Sequence, residues 1–203
     1  MTMRALTRST LLVATLMLAG CGAVTSLSRA SEQLDTYTLS PLPGPGGGGA
    51  RHVVVEPVTA GGALSTDRIL IKPSRVQAQY LPDARWSDPA PALVQTLLVG
   101  SLQNAGGFRL VAREAAGLIP DYTLMTELRD FQAEAPPGAT PVVRVAMVLT
   151  LIRESDRSVA SSRRVEAVAP AASDTTGDVV VAFEAAVTQA LGQAIGWARA
   201  QAR

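Results

Sequence analysis

The 203-residue sequence predicts an α+β fold: a mixed, largely antiparallel sheet of about six or seven strands with two helices packed on it. Three observations carry that expectation. In "PVVRVAMVLTLIRE", Val143, Val145, Met147, Leu149 and Leu151 fall on one face while Arg144 and Thr150 fall on the other, the period of a half-buried strand. Near the C-terminus Val180, Phe183, Val187, Leu191 and Ile195 recur at intervals of three and four through Trp197, the period of an amphipathic helix. Between these extremes the chain is punctuated by proline and glycine at spacings that suit short strands and tight turns.

The elements follow in order. "TYTLSP", from Thr36 to Pro41, alternates as a short first strand, and "PLPGPGGGGA" reads as a flexible connector, because glycine and proline do not sustain a ladder. A phosphate-loop reading of that glycine run fails: no Gly-Lys-Ser or Gly-Lys-Thr follows it, and Arg51 leads into a strand instead of a helix N-terminus. His52 to Val58, "HVVVEPV", is valine-rich and closed by a proline, a strand buried on at least one face. Two short strands, Arg68 to Lys72 and Arg75 to Tyr80, are expected on either side of Pro73, followed by a loop containing Pro82 and Pro89.

Asp88 before Pro89 marks a helix start, and Leu93, Leu97, Leu98 and Leu102 continue it until Asn104, Gly106 and Gly107 end it, so the first helix is expected over 89–104. "FRLVA" is a brief strand and Asp121 to Glu134 a longer one. Pro136, Pro137 and Gly138 turn the chain into the strand of alternating valines, and "ESDR" turns it again into "SVASSRRVEAVA", whose Arg163, Arg164 and Glu166 indicate an edge or a wet face. Three consecutive strands with short links form an antiparallel meander. Asp174 or Asp178 is the expected cap of the final helix, which packs across the sheet; a partner-binding coiled coil would need more heptads.

Composition limits the function. With 47% hydrophobic residues the chain supports one domain with a core. Residues 1–20 contain Arg4 and Arg8 and no acid, so the remainder carries 16 basic groups against 17 acidic ones, from totals of 18 and 17. That balance gives no general attraction to phosphate backbones, and nucleic acid is not an expected partner. Catalytic sets are also missing. His52 is the one histidine and Cys21 the one cysteine, so neither a metal-ligand cluster nor a Ser-His-Asp arrangement can be assembled from the usual residues, and His52 is expected to be an exposed residue at the start of its strand. No cofactor is expected. A hydrolase or transferase built on Ser, Asp or Glu without histidine is the remaining enzymatic alternative.

Residues 1–20 have the layout of an export signal: two arginines, the apolar run Leu11 to Ala19, then small residues. Nine helical positions rise only about 13 to 14 Å, too little to span a bilayer. "LAGC", Leu18 to Cys21, resembles the lipobox of bacterial lipoproteins, in which the cysteine thiol receives a diacylglyceryl group and the chain is cut before it. Cys21 is thereby the expected lipidation site, and residues 21–35, polar and small, the flexible tether to a domain over 36–203. Gly22 follows the cysteine where lipoproteins kept in the inner membrane commonly carry aspartate, so the expected location is the periplasmic face of the outer membrane, with the inner membrane as the alternative.

The order "YTLSP", "VVVEPV", "DRILIKP", "RWSDP" opening a helix, "FRLV", a long strand pair and an alanine-rich final helix resembles the auxiliary lipoprotein family of ABC-type transporters over roughly residues 36 to 200. Tyr37, Leu39, Pro57, Arg68, Trp86 and Phe108 are the positions that match best. The glycine-rich insert before Arg51 is longer than that pattern, and the segment Asp67 to Lys72 follows two unusual glycines. The resemblance implies a non-enzymatic component of a transport system for lipids or other hydrophobic compounds, acting indirectly with an ABC permease and ATPase and directly with an MCE-domain protein, anchored through lipid on Cys21. It leaves a homo-oligomer open. A structural or assembly-factor outer-membrane lipoprotein without a transporter is the second reading. Tyr80, Arg85 and Trp86 form the candidate partner-contact cluster; the alternative for Trp86 is that it packs onto the sheet, as a tryptophan at the mouth of a helix ordinarily does.

Overall fold

The computed structural model describes residues 34–115 and 117–202. Its organising strand is β7, Tyr122–Glu134. One edge of β7 pairs along its whole length with antiparallel β8, Val142–Arg153, and β8 pairs in turn with antiparallel β9, Ser158–Pro170. This is the expected meander. The other edge is shared by three parallel segments in succession: β2, His52–Val55, against the start of β7; β3, Thr59–Ala60, against its middle; and β4, Arg68–Ser74, against its end. The stretch from Val53 to Lys72 thus behaves as one interrupted strand. Pro57 causes the first interruption, since it offers no amide to the ladder, and an insert with a 3-10 turn at Gly62–Leu64 causes the second. The strand expected over His52 to Val58 therefore ends at Val55 and resumes at Thr59.

The sheet extends at both ends of this edge. β5, Gln77–Trp86, pairs antiparallel with β4, and β1, Asp35–Tyr37, pairs parallel with β5; β6, Leu110–Ala112, pairs parallel with β2. Nine strands are present among the described residues, above the expected six or seven; the two-residue β3 is a segment the sequence pattern does not announce. Pro73 and Pro82 do not end their strands. The β4–β5 register shifts between Arg68 and Leu70 and again between Ile71 and Ser74, so each proline sits in an irregularity where no ladder donor is required.

Both helices lie on one face. α1, Ala90–Ala105, buries Leu93, Leu97, Leu98 and Leu102; α2, Thr176–Gln201, runs across β8 and β9 and contacts α1. By length and composition α2 could cross a membrane, but half of its most apolar window is buried in this domain, where Ala182, Ala186, Ala190 and Ala194 let it approach the sheet closely. The cap of α2 is Thr175, whose Oγ1 accepts from the Asp178 amide. Asp178 sits one turn in, where its charge complements the helix dipole, and Asp174 takes no capping role. Asp88 likewise does not cap α1; the Ala90 amide donates to the Thr66 carbonyl at 3.0 Å.

The glycine-rich segment before β2 is a docked strap, not a loose connector. The Gly46 amide donates to the Asn104 carbonyl at 2.7 Å and the Gly107 amide to the Gly47 carbonyl at 3.0 Å, while Asn104 Nδ2 donates to the Leu42 carbonyl at 2.8 Å. These bonds satisfy backbone groups at the C-terminal end of α1. A Cβ on Gly44 would lie 2.2 Å from the Asn104 carbonyl oxygen, and one on Gly49 would lie 2.3 Å from that of Gly107, so glycine is required for the close approach.

Gly44→Ala and Gly49→Ala are each expected to lower unfolding free energy by about 2–4 kcal/mol, whereas Gly61→Ala, with open space around it, shifts it by less than about 0.5 kcal/mol. Urea titration followed by circular dichroism checks all three.

Candidate functional site

Among the described residues both helices cover one side of the sheet and none covers the other, which makes that open face the candidate site. Alternation decides which side chains reach it. Register places Tyr80, Leu70, Gln132, Arg144 and Val168 in one row across β5, β4, β7, β8 and β9. An open groove of about 810 Å³ crosses this row, lined by Lys72, Arg75, Asp130, Gln132, Arg144 and Arg164 among others.

Arg144 is the hub of the groove. Its Nε donates to Glu134 Oε1 at 2.8 Å, its Nη1 donates to Glu166 Oε1, and Arg164 Nη2 donates to Glu166 Oε2 at 3.0 Å. Glu134 lies on β7, Arg144 on β8, and Glu166 and Arg164 on β9, so the ladder ties three strands by diagonal neighbours. The guanidinium of Arg144 holds the Glu134 carboxyl below its ordinary range against a smaller opposing effect of burial, and Glu134 in turn holds the Arg144 proton more firmly. Gln132 is buried beneath the ladder and its Nε2 donates to Asp130 Oδ1 at 2.9 Å.

The three candidate contact residues separate. Trp86 is 1% exposed, in an aromatic cluster with ring centroids 5.6 Å from Phe131 and 5.0 Å from Phe183. Of the two readings of Trp86, packing onto the sheet holds and its place in the contact cluster does not: β5 continues through Pro82 to Trp86, so adjacent residues point to opposite faces. Arg85 faces away from the helices, where its Nε donates to Thr36 Oγ1 at 3.1 Å and Nη1 lies 3.8 Å from Asp67 Oδ2. Tyr80 is 39% exposed on the open face and its hydroxyl donates to the Ala63 carbonyl at 3.2 Å. Cys21 and the residues read as signal and most of the tether lie outside the described residues.

His52 is also corrected. Expected as an exposed residue, it is buried, because β6 pairs on one edge of β2 and β7 on the other. Its amide donates to Asp121 Oδ2 at 2.7 Å, and this bond, with further help from Arg51, holds the Asp121 carboxyl below its ordinary range. His52 Nε2 has no hydrogen-bond partner among the described atoms. No group of three His, Cys, Asp or Glu able to hold a metal occurs among the described residues. The groove carboxylates of Glu134 and Glu166 are engaged by guanidinium groups.

The ladder was partly visible beforehand. Alternation places Arg144 on the polar face of its strand, and Arg163, Arg164 and Glu166 mark a wet or edge strand; the convergence of Arg144, Arg164 and Glu166 with Glu134 follows only from the register of β7 against β8.

Comparison with known proteins places this arrangement. A family model described as ABC-type transport auxiliary lipoprotein component matches residues 37–195. The chain is 30% identical over 153 residues to the uncharacterized protein bll6063 of Bradyrhizobium diazoefficiens, covering 73% of this chain and 39% of that protein, so it spans about two-fifths of that relative's length. Among solved structures, protein XCC0632 of Xanthomonas campestris superposes with a TM-score of 0.74 at 25% identity, covering 83% of this chain and 95% of that one. The hypothetical protein CT253 of Chlamydia trachomatis has a TM-score of 0.50 at 9% identity, covering 75% and 98%, a likeness of fold alone.

Trp86→Ala is expected to destabilise the domain by about 3–5 kcal/mol through cavity formation, whereas Arg85→Ala costs less than about 1 kcal/mol; thermal melts of both variants compare them. The depressed carboxyls of Glu134 and Asp121 have a signed consequence. Their stabilisation is full above the ordinary values, 4.5 and 3.8, and is lost as pH falls through the lower folded-state values. Stability is expected to decline with acidification in that window, and Arg144→Gln to flatten the decline; urea midpoints taken between pH 6 and pH 2 measure it.

Proposed function

The chain belongs to the ABC-type transport auxiliary lipoprotein family, and from that premise we propose that it is the lipid-anchored periplasmic component of an MCE-linked transporter that moves lipids or hydrophobic compounds through the envelope. The observation that carries the reading is the family match over residues 37–195 downstream of the lipobox-like Leu18 to Cys21. Membrane attachment follows from the family's being one of lipoproteins. The finer points belong to the proposal. Acyl chains on Cys21 hold the domain at the periplasmic face of the outer membrane, residues 21–35 act as tether, and the domain docks an MCE-domain protein while a separate permease and ATPase supply transport and energy.

The open sheet face supports a docking role, with Tyr80 and Arg85 at its margin and the Arg144 ladder across its centre. Charge compensation within the ladder favours selection of a complementary partner over indiscriminate attraction. No P-loop signature occurs in the sequence, so this chain does not hydrolyse ATP through that motif.

Two measurements test the proposal together. Mass spectrometry of the membrane-derived protein is expected to find acyl chains on an N-terminal Cys21, and Cys21→Ala to move the protein into the soluble periplasmic fraction. Chemical crosslinking in intact cells is expected to recover an MCE-domain protein. Acylated chain without any transporter component would instead support the envelope-architecture reading.

A further inference from the structure

Among the described residues β9 has a neighbour on one side only. Its free edge runs for 13 residues, Ser158–Pro170, and an unpaired edge presents backbone donors and acceptors ready for another strand. The protections of this edge lie at its ends. Pro170 closes one end, and at the other the β8–β9 register slips between Leu151 and Ile152, leaving Ala160 unpaired. Between them α2 supplies two side chains: Gln193 Nε2 donates to the Glu166 carbonyl at 3.0 Å and Trp197 Nε1 to Ser161 Oγ at 3.3 Å. The stretch from Ser162 to Val165 carries no such cover.

The charges beside this stretch are unequal. Glu166 is engaged by Arg144 and Arg164, and Asp156 by Arg153 and Ser158. Arg163, on β9, and Arg157, in the preceding turn, have no hydrogen bond or ion pair among the described residues. The uncommitted charge along the edge is therefore positive. Val159 and Val168, 63% and 41% exposed, offer apolar contacts towards either end of the strand. A second copy pairing antiparallel through this same edge would set like charges against each other, which disfavours self-pairing.

We propose that the free edge of β9 receives an extended segment of a partner protein as an added strand, with carboxylates beside Arg163 and Arg157 and apolar residues over Val159 and Val168. Backbone pairing gives the segment its alignment, and the arginines select its acidic character. The inference rests on the docking role proposed above and names the surface and its occupant; it does not depend on how the chain is anchored.

The test uses the full chain in detergent and an acetylated peptide of about ten alternating valines and glutamates. Hydrogen exchange of β9 amides is expected to slow about fivefold or more with this peptide, but not with versions carrying lysine for glutamate or N-methyl groups on alternate amides. Arg163→Glu, which breaks no hydrogen bond or ion pair among the described residues, is expected to weaken acidic-peptide binding about tenfold. Unchanged β9 exchange overturns the proposal, as does equal protection by the lysine peptide. So does β9 protection that rises with protein concentration in the absence of peptide, since a second copy would then occupy the edge. Peptide binding without recovery of an MCE-domain protein in cells would count against the transporter reading alone.

Discussion

The structure depends on keeping both edges of β7 paired. A central strand of 13 residues needs its backbone groups satisfied on each side. On one side a single strand of similar length does this. On the other, no single uninterrupted strand is available, and β2, β3 and β4 divide the work, each bound in parallel to a different part of β7. The sheet's breadth follows from that division: β2 brings in β6, and β4 brings in β5 and with it β1. Parallel pairing also requires long connections: the one from β2 to its parallel neighbour β6 includes β3, β4, β5 and α1, while α2 follows the meander and returns over β8 and β9.

The same spine separates the two faces of the sheet. Residues of β7 and β8 that face the helices, among them Phe131, Leu124, Val145 and Leu149, are almost wholly buried, and the Trp86–Phe131–Phe183 cluster joins β5, β7 and α2. Residues one position away, Arg144 and Thr150 among them, point to the opposite face. Arg85 and Trp86 show the rule most sharply: neighbours in sequence, they belong to different faces. A contact cluster drawn from sequence proximity in this region therefore mixes a core anchor with a surface group, and only the extended conformation of β5 sorts them.

Local pattern made much of the fold legible. The meander, both helices and the polar face of β8 follow from periodicity, because period 2 and period 3.6 are imposed by backbone geometry alone. What escaped were effects of partners distant in sequence. His52 looked like an exposed strand start because nothing near it announces β6, whose three residues bury it from the far edge. Pro73 and Pro82 looked like strand ends because a bulge is invisible until the opposite strand is known. The glycine run looks slack in sequence because its partner is the C-terminal end of α1, some 60 residues onward. In the groove, Arg144, Arg164 and Glu166 were visible as polar positions, but Glu134 joins them only through the β7–β8 register.

The groove's internal neutralisation bears on how a tethered docking domain would discriminate. Arg144 is held by two carboxylates before any partner arrives, so an incoming acid gains little from it without displacing one of them. Long-range attraction by the open face is correspondingly weak, consistent with the near balance of 16 basic and 17 acidic groups beyond residue 20. Uncommitted backbone, with Arg157 and Arg163, lies instead at the sheet's edge, where recognition would depend on alignment of a strand. Such contacts are weak individually and selective together. Fixing the domain at a membrane would raise the local concentration of any partner in the same envelope layer, so a modest edge interaction becomes sufficient for docking without the permanent, strongly charged surface that would attract other proteins.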